Sequence, residues 1–519
     1  MASRSFACVV SLPALLGALS LAACDSDTSG AGGSTATTTT TDTSSGGGGA
    51  TSTGGTSTGG ATGGSGGATG GSTSSGGSGG ATTSSTTDTG GSVPACGSFA
   101  RRYGSDDAMG STGLAGAVAS SDGGVIVAGD FAGKIVVGGA TLTAVAGQDA
   151  FVAALKPNAG VAWAKRFGAA YDDKPKAIVA TDDGGAVLVG TFDGVVDFFG
   201  TTLTSIAGPD AFVLRLDAAG DAVFVLQIEN ADARSVAIAD GGDIVVAGDF
   251  TGSTSIAGQP LTADGAVDLF VARLGGDGSF VAARHAAFPV KPGAIAVASG
   301  GGHTYLTGSF QGTVDLGAGP LVSAGAKDIL VASFDDALQT AWAKRFGDDS
   351  SQEARAAAVL SDGSVAITGN FKSVIDFDGA ILTADTQDDV FLARFDPAGA
   401  IVVAERFGDP AAQIGRAIAV DANDDLLVAG GFSGAIAFGG ATLTSAGGED
   451  AFLARFDANG VPLKAERWGE AGDQRARSAA VDACGAVVLG GEMSGSIAFD
   501  ADQLDATGAQ DAFVARRAP

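Results

Sequence analysis

The stretch Asp450-Ala-Phe-Leu-Ala-Arg-Phe456 is one of seven copies of a short phrase, an Asp followed by an apolar run. The copies start 61, 58, 60, 61, 61 and 61 residues apart, at Asp149, Asp210, Asp268, Asp328, Asp389, Asp450 and Asp511. A second marker, Gly-x-Phe, keeps the same step at Phe131, Phe192, Phe250, Phe310, Phe371 and Phe432, with Met493 in the seventh place. Two markers in one register indicate that each period is one structural unit.

Within one period the pattern predicts four β-strands. Residues 416–469 show it most clearly, with apolar runs at Arg416–Val420, Leu426–Ala429, Asp450–Phe456 and Pro462–Trp468. Every connection between these runs is short and carries Gly or Asp, as antiparallel hairpins require. The segment 435–444 connects the second and third strands and suits a small hairpin. No stretch has the length or periodicity of a helix.

Seven such units predict an all-β fold, a seven-bladed β-propeller of four-stranded antiparallel blades. The two ends of the chain are complementary, because the last unit stops after its third strand, Asp511–Arg516. A matching fourth strand, Phe99-Ala-Arg-Arg-Tyr-Gly104, precedes the first full unit and aligns with Trp163-Ala-Lys-Arg-Phe-Gly168. We therefore expect this N-terminal strand to complete the last blade and leave no open sheet edge.

The repeat, with its Gly-x-Phe, Asp-x-Phe and Trp-Ala-Lys-Arg-Phe-Gly elements, resembles the SBBP-type β-propeller repeats of bacterial surface and secreted proteins. The resemblance covers about residues 96–519 and implies the fold, but no particular reaction. Two fourth-strand segments, Phe224–Ile228 and Ala282–Phe288, depart from the pattern because they lack the Arg-Phe-Gly ending.

The N-terminus predicts export. Residues 1–23 hold one cation, Arg4, and the apolar run Phe6–Leu21, which is typical of a secretory signal peptide. Leu21-Ala-Ala-Cys24 resembles the lipobox of bacterial lipoproteins, which implies that Cys24 becomes the lipidated first residue; ordinary secretory cleavage nearby is the alternative. The resemblance implies a cell-envelope protein, lipid-anchored to a bacterial membrane and facing the periplasm or exterior.

Residues 24–94 differ in composition from the rest of the chain, being almost entirely Gly, Ser, Thr and Ala. So little apolar surface cannot offset the entropy of ordering, which predicts a disordered tether before a propeller at residues 95–519. The formal net charge is −28, and we expect no nucleic-acid partner because a polyanion requires concentrated positive charge. We further expect a monomer, with no metal and no cofactor.

Four cysteines are present, of which Cys8 lies in the signal peptide and Cys24 in the lipobox. The other two, Cys96 and Cys484, both map to blade 7, at the start of its closing strand and in the turn between its first two strands. These positions lie at the same end of an antiparallel sheet, so we predict a disulfide between them in an oxidising compartment. Two separate thiols are the alternative, because strands intervene and a bridge needs Cα atoms within about 7 Å.

A basic residue recurs at the start of the first strand in five of the seven blades: Lys176, Arg234, Arg355, Arg416 and Arg477. If the first strand is innermost, these side chains ring one mouth of the central channel and attract anions. Three glutamines stand three residues earlier, Gln352, Gln413 and Gln474, and offer amides to sugar hydroxyls. The alternative is that each basic residue pairs with an Asp of its own or a neighbouring blade.

The Asp that opens each third strand also has a structural interpretation. We expect it to cap a turn or to pair with the Arg that follows it on the same strand in five blades, at Arg215, Arg273, Arg394, Arg455 and Arg516.

Two functions follow from these patterns. The first is a surface-displayed lipoprotein, not an enzyme, whose propeller binds or scaffolds protein or glycan, since no catalytic set can be assembled from the motifs. The alternative is a carbohydrate-active propeller enzyme, a lyase or hydrolase that holds acidic sugars on the basic ring.

Overall fold

The computed structural model describes residues 97–104 and 111–518. The predicted signal peptide (1–23), Cys24 with the tether (24–94) and Cys96 lie outside the described residues. Within the described ranges the chain forms 42 β-strands, and no helix there is long and apolar enough to cross a membrane.

Each blade is a four-stranded antiparallel sheet with a two-stranded hairpin between its second and third strands. After β1 (Phe99–Tyr103), blade 1 comprises β2 (Thr112–Ala119), β3 (Val125–Phe131), the hairpin β4 (Lys134–Val137) and β5 (Ala140–Thr143), β6 (Asp149–Leu155) and β7 (Val161–Phe167). Blade 2 comprises β8 (Lys174–Ala180), β9 (Ala186–Phe192), the hairpin β10 (Val195–Phe198) and β11 (Thr201–Thr204), β12 (Asp210–Leu216) and β13 (Ala222–Ile228). Blade 3 comprises β14 (Ala231–Ile238), β15 (Ile244–Phe250), the hairpin β16 (Ser253–Ile256) and β17 (Gln259–Thr262), β18 (Val267–Leu274) and β19 (Phe280–Phe288). Blade 4 comprises β20 (Ile295–Gly300), β21 (His303–Phe310), the hairpin β22 (Thr313–Asp315) and β23 (Pro320–Val322), β24 (Asp328–Phe334) and β25 (Thr340–Phe346).

The last three blades repeat the same order. Blade 5 comprises β26 (Gln352–Val359), β27 (Val365–Phe371), the hairpin β28 (Val374–Phe377) and β29 (Ala380–Thr383), β30 (Asp389–Phe395) and β31 (Ile401–Phe407). Blade 6 comprises β32 (Gln413–Val420), β33 (Leu426–Phe432), the hairpin β34 (Ala435–Phe438) and β35 (Ala441–Thr444), β36 (Asp450–Phe456) and β37 (Pro462–Trp468). Blade 7 comprises β38 (Gln474–Val481), β39 (Val487–Met493), the hairpin β40 (Ser496–Phe499) and β41 (Asp502–Asp505), and β42 (Asp511–Arg517), and is completed by β1.

The seven-bladed propeller and its closure by the N-terminal strand are confirmed. Strand β1 pairs antiparallel with β42, with Phe99 opposite Arg516 and Tyr103 opposite Ala512. The first strand of every blade contacts the first strands of both neighbours, β38 contacting β2, so these strands are innermost and form a closed ring. The two segments that depart from the sequence repeat, Phe224–Ile228 and Ala282–Phe288, lie in regular fourth strands, β13 and β19. In blade 6 the third and fourth strands have the predicted bounds, and the first begins three residues earlier, at Gln413.

The hydrophobic core lies between the blades. Seven clusters of buried side chains are present, and each joins two neighbouring blades, as where Ile329 and Phe346 of blade 4 meet Ile367 and Phe391 of blade 5. In blades 1, 3, 5 and 6 the aromatics of the two repeated markers pack edge to face, with Phe371 and Phe391 ring centres 6.3 Å apart. This packing explains why both markers recur in one register.

The ring has two faces. The hairpins and the connections from each fourth strand to the next blade form the upper face, whereas the turns between first and second and between third and fourth strands form the lower face. The upper end of the innermost strands is called the mouth below.

Candidate functional site

The basic residues predicted at the mouth occupy β-bulges. In blade 5 the pairing of β26 with β27 shifts between Ala354 and Ala356, so Arg355 is an extra residue with no partner in the ladder. The same shift leaves Lys176, Arg234, Arg416 and Arg477 as the extra residue in their blades, and in blade 1 it leaves Ala115. A bulge re-aims a side chain, so the fold itself presents these five cations at the mouth.

A glycine faces each bulge. Gly369, the Gly of Gly-x-Phe in blade 5, lies where an added Cβ would collide with the carbonyl oxygen of Glu353 on the bulged strand. The equivalent glycines in the other bulged blades face a first-strand carbonyl in the same way, and Gly308 of blade 4, which has no bulge, faces the carbonyl of Ala294 just before the first strand. A glycine inside a strand is a recognised signal of a bulge or of close backbone approach, so the sequence contained a marker of this feature.

Each of the five cations pairs with a carboxylate. Lys176 pairs with Asp232 of the next blade, while the arginines pair within their own blades. The arginine pairs, by nitrogen and oxygen, are Arg234 Nη2 with Asp249 Oδ1 at 2.7 Å, Arg355 Nη2 with Glu353 Oε2 at 2.6 Å, Arg416 Nη2 with Glu449 Oε1 at 3.0 Å, and Arg477 Nη2 with Glu492 Oε2 at 2.8 Å. The ring is therefore a mixed-charge surface. The side chain of Arg477 is 38% exposed, whereas that of Arg416 is only 13% exposed.

The three glutamines predicted beside these cations are fully buried. Gln352 Nε2 donates to Asp348 Oδ1 at 2.6 Å and to the Lys372 carbonyl at 3.2 Å. Gln413 and Gln474 bond loop carbonyls in the same way, at Ser433 and Ser494. Since their amides hold the upper loops together and reach no solvent, we leave all three glutamines out of the proposed ligand site.

The Asp that opens each third strand is buried and caps a turn, as expected. Asp328 Oδ2 accepts the Ala324 N–H at 2.9 Å, and the equivalent bond recurs in all seven blades. In the described part of the chain, the ion pair expected with the Arg of the same strand does not form in any of the five blades that carry it. In blade 4, whose third strand has no such Arg, Asp328 pairs with Arg345, 17 residues later on the fourth strand. Arg166, Arg406 and Arg467 do the same in their blades, and Arg102 of β1 pairs with Asp511 at 2.6 Å.

The arginines that follow on the third strand instead join turns of the lower face. Arg394 pairs with Asp362 of its own blade and donates to the Ala458 carbonyl of the next blade at 2.8 Å. Arg215, Arg273 and Arg455 likewise pair with aspartates of the first turn in their blades. The reason is geometric. An Asp and an Arg five residues apart on one strand lie about 17 Å apart and point to opposite faces, so they cannot meet.

Blade 3 replaces the fourth-strand Arg by His285. Its Nδ1 lies 2.8 Å from Asp268 Oδ2 and 3.9 Å from Asp264 Oδ2, so the three side chains could together offer ligand atoms to a metal ion. The repeat accounts for the His–Asp contact, because His285 follows Asp268 by the same 17 residues as each fourth-strand Arg. We assign no metal to this group.

Blade 1 contributes an acidic group to the mouth. Asp130 stands on β3 opposite Gly113, in the register where Glu492 stands in blade 7. Burial raises the pKa of Asp130 to about 6, with Glu492 adding to the rise and Lys174 opposing it. The mouth therefore has an acidic sector at blade 1 and cationic bulges in blades 2, 3, 5, 6 and 7.

No protein-family model and no curated protein matches the sequence. Solved structures that are similar include the Pan2 WD40 domain of Neurospora crassa, at 10% identity over 78% of this chain and 90% of that chain, with a TM-score of 0.39. The Dos1 propeller matches at 7% identity over 80% and 95%, also with a TM-score of 0.39. A PL25 ulvan lyase, a polysaccharide lyase bound to -[GlcA(1-4)Rha3S]-, matches at 12% identity over 75% and 93%, with a TM-score of 0.39. Likeness at this level carries no argument about activity, so the site rests on the geometry above.

Proposed function

We propose that this chain is a surface-displayed bacterial lipoprotein of the SBBP-type repeat class, anchored through Cys24, whose propeller is a non-catalytic module for binding or scaffolding protein or glycan. The observation that supports it is the set of bulges, which aims five cations at one mouth of an otherwise acidic molecule. The tether at residues 24–94 suits such a role because about 70 residues of Gly-rich coil span roughly 45 Å.

The test is a glycan and polyanion binding screen on the soluble chain from Asp25 onward. A variant with Arg355, Arg416 and Arg477 changed to Ala is expected to lose the binding that the unmodified chain shows. The control removes three exposed cations away from the mouth, Lys134, Lys156 and Lys464, and so matches the loss of charge. Equal loss in both variants would indicate a nonspecific effect of net charge, and binding that survives in the mouth variant would contradict the assignment.

The alternative enzyme is favoured by one observation, the raised pKa of Asp130 at the mouth. A carboxyl group with a pKa of about 6 is suited to general acid catalysis on an acidic sugar. Release of product from a uronate oligosaccharide, abolished in Asp130→Asn, would support the enzyme over the binding module.

The same proposal includes a Cys96–Cys484 disulfide that closes the propeller. Cys484 lies in the lower-face turn after Asp482, and Asp482 Oδ2 accepts from Arg516 Nε at 2.7 Å. Arg516 Nη1 donates to the Gly97 carbonyl at 3.0 Å. One buried guanidinium thus reaches both the residue next to Cys96 and the turn that carries Cys484.

A further inference from the structure

The mouth arginines differ in what faces them from the neighbouring second strand. In blades 3 and 7 the facing residue is a carboxylate, Asp249 or Glu492, that pairs with the bulge arginine. In blade 5 it is Asn370, whose Oδ1 accepts from Arg355 Nε at 2.6 Å. These three facing residues occupy the same position in the strand register. Each is paired with the first-strand residue that lies two places before the bulge.

Blade 6 has Gly431 at that position, opposite Ile414, so the second strand offers no acceptor to its arginine, and the carboxylate of Glu449 lies over the glycine instead. As a consequence Arg416 Nε is buried and meets no acceptor among the described residues. Its Nη2 donates to Glu449 Oε1 at 3.0 Å, but the second oxygen of that carboxylate pairs with Arg475 Nε at 2.9 Å. One carboxylate therefore serves two guanidinium groups.

The surrounding charges leave Arg416 undercompensated. Burial lowers the pKa of Arg416, and repulsion from Arg477 and Arg355 in the two adjacent blades lowers it further, against the attraction of Glu449. A buried guanidinium nitrogen without an acceptor costs free energy that an added acceptor would recover. An anionic oxygen suits this position best, because hydrogen bonds between charged groups are the stronger ones.

We propose that the blade 6 sector of the mouth binds one oxyanion group, a carboxylate or a sulfate of an acidic sugar, which accepts a hydrogen bond from Arg416 Nε, the donor that Glu449 leaves without an acceptor. This inference rests on the proposed function and narrows it to one anchoring residue and one chemical class. Arg477, the most exposed of the mouth arginines, lies in the next blade and adds attraction for the same group.

The experiment uses the soluble chain from Asp25 onward, with sodium sulfate and sodium glucuronate as separate probes in isothermal titration calorimetry. The unmodified chain is expected to bind one equivalent of at least one probe, and the stronger probe identifies the preferred group. Arg416→Gln removes the guanidinium with its Nε donor and its charge, and Gly431→Asn supplies an internal acceptor, so each is expected to weaken binding about tenfold or more.

A gain-of-site variant is the matched test. Asn370→Gly removes the acceptor of Arg355 in blade 5, which recreates the blade 6 arrangement there, and is expected to raise the stoichiometry from one to two. A Cβ at residue 431 would collide with the side chain of Glu449, which must shift to admit it. The melting temperature of Gly431→Asn is therefore measured as well. If that variant is destabilised, Arg416→Gln and Asn370→Gly decide.

The inference is overturned if neither probe binds, or if Arg416→Gln binds both as the unmodified chain does. A glycan that binds the unmodified chain and Arg416→Gln equally, but not the triple mouth variant, would leave the proposed function standing and reject the blade 6 site alone. Binding to the triple mouth variant would reject both.

Discussion

Asp173 is the residue at which comparison between blades gives the clearest stability prediction. It holds the position in blade 2 that Gln352, Gln413 and Gln474 hold in later blades, and it is equally buried. Burial raises the pKa of Asp173 to about 6, with Asp149 and Asp193 adding to the rise against two backbone N–H bonds. Because the folded pKa exceeds the ordinary value of 3.8, stability falls as pH rises from about 4 to about 6 and stays lower above that.

Asp173→Asn removes this penalty. We expect the variant to be more stable than the unmodified chain by about 1 kcal/mol at pH 7, after allowance for weaker acceptance of the backbone N–H groups, and equally stable below pH 4. Urea unfolding between pH 4 and 7.5 measures the difference.

The adjacent Asp172 provides the control, because its pKa is shifted in the opposite direction. The hydrogen bond from Lys174 Nζ, at 2.8 Å, lowers the pKa of Asp172, so its contribution is present at neutral pH and is lost as pH falls through the folded value. Asp172→Asn is expected to be slightly less stable at pH 7, by under about 1 kcal/mol, as befits an exposed pair. The same pH dependence in both variants would show that the assignment for Asp173 is wrong.

At the scale of the element, the closing strand β1 depends on an ion pair that the fourth strands of blades 1, 4, 5 and 6 make within one continuous hairpin. Arg102 lies 2.6 Å from Asp511, which is fully buried. Arg102→Gln leaves that carboxylate without its cation and is expected to cost about 1–3 kcal/mol of unfolding free energy. Native-state hydrogen exchange should show faster exchange in β1 and β42, because β1 is joined to the blade only through pairing and not through a turn.

Arg345→Gln in blade 4 is the matched variant, since Arg345 makes the same pair with Asp328 but β25 follows β24 directly. A similar global cost without selective exposure of β25 is expected. If β42 keeps its protection in Arg102→Gln, the ion pair does not hold the closing strand.

The sequence predicted these strands well and their side-chain partners poorly. Blade count, closure and hairpins depend on periodicity and turn residues, which are local or repeated, so they can be predicted from sequence alone. The bulge at Arg355 depends on how two strands align, and only Gly369 pointed to it. The pair of Asp389 with Arg406 was missed although the interval of 17 residues recurs, because the nearer Arg394 on the same strand was considered instead. The unpaired Nε of Arg416 becomes visible only when the facing residue, Gly431, is known.

At the scale of the whole molecule, the contacts that close the ring lie in blade 7, where the first described strand pairs with the last. Pairing of β1 with β42 closes the sheet, Arg102 secures its upper end, and Arg516 joins Gly97 to Asp482 at its lower end. Other blades need no such combination, because their four strands are consecutive in sequence. A covalent link at the lower end would therefore reinforce the place where these contacts join the closing strand to the blade.

The chain from Asp25 onward contains two cysteines, Cys96 and Cys484, so the proposed disulfide can be tested by thiol counting. We expect no reactive thiol in the unfolded, unreduced protein and two after reduction. Reduction is expected to lower the melting temperature, because the bond closes a loop of nearly the whole domain, worth up to about 5 kcal/mol in the chain-entropy model. Cys484→Ser should unfold like the reduced chain and should not respond to reductant. Two reactive thiols before reduction would show that Arg102, Arg516 and strand pairing close the ring unaided.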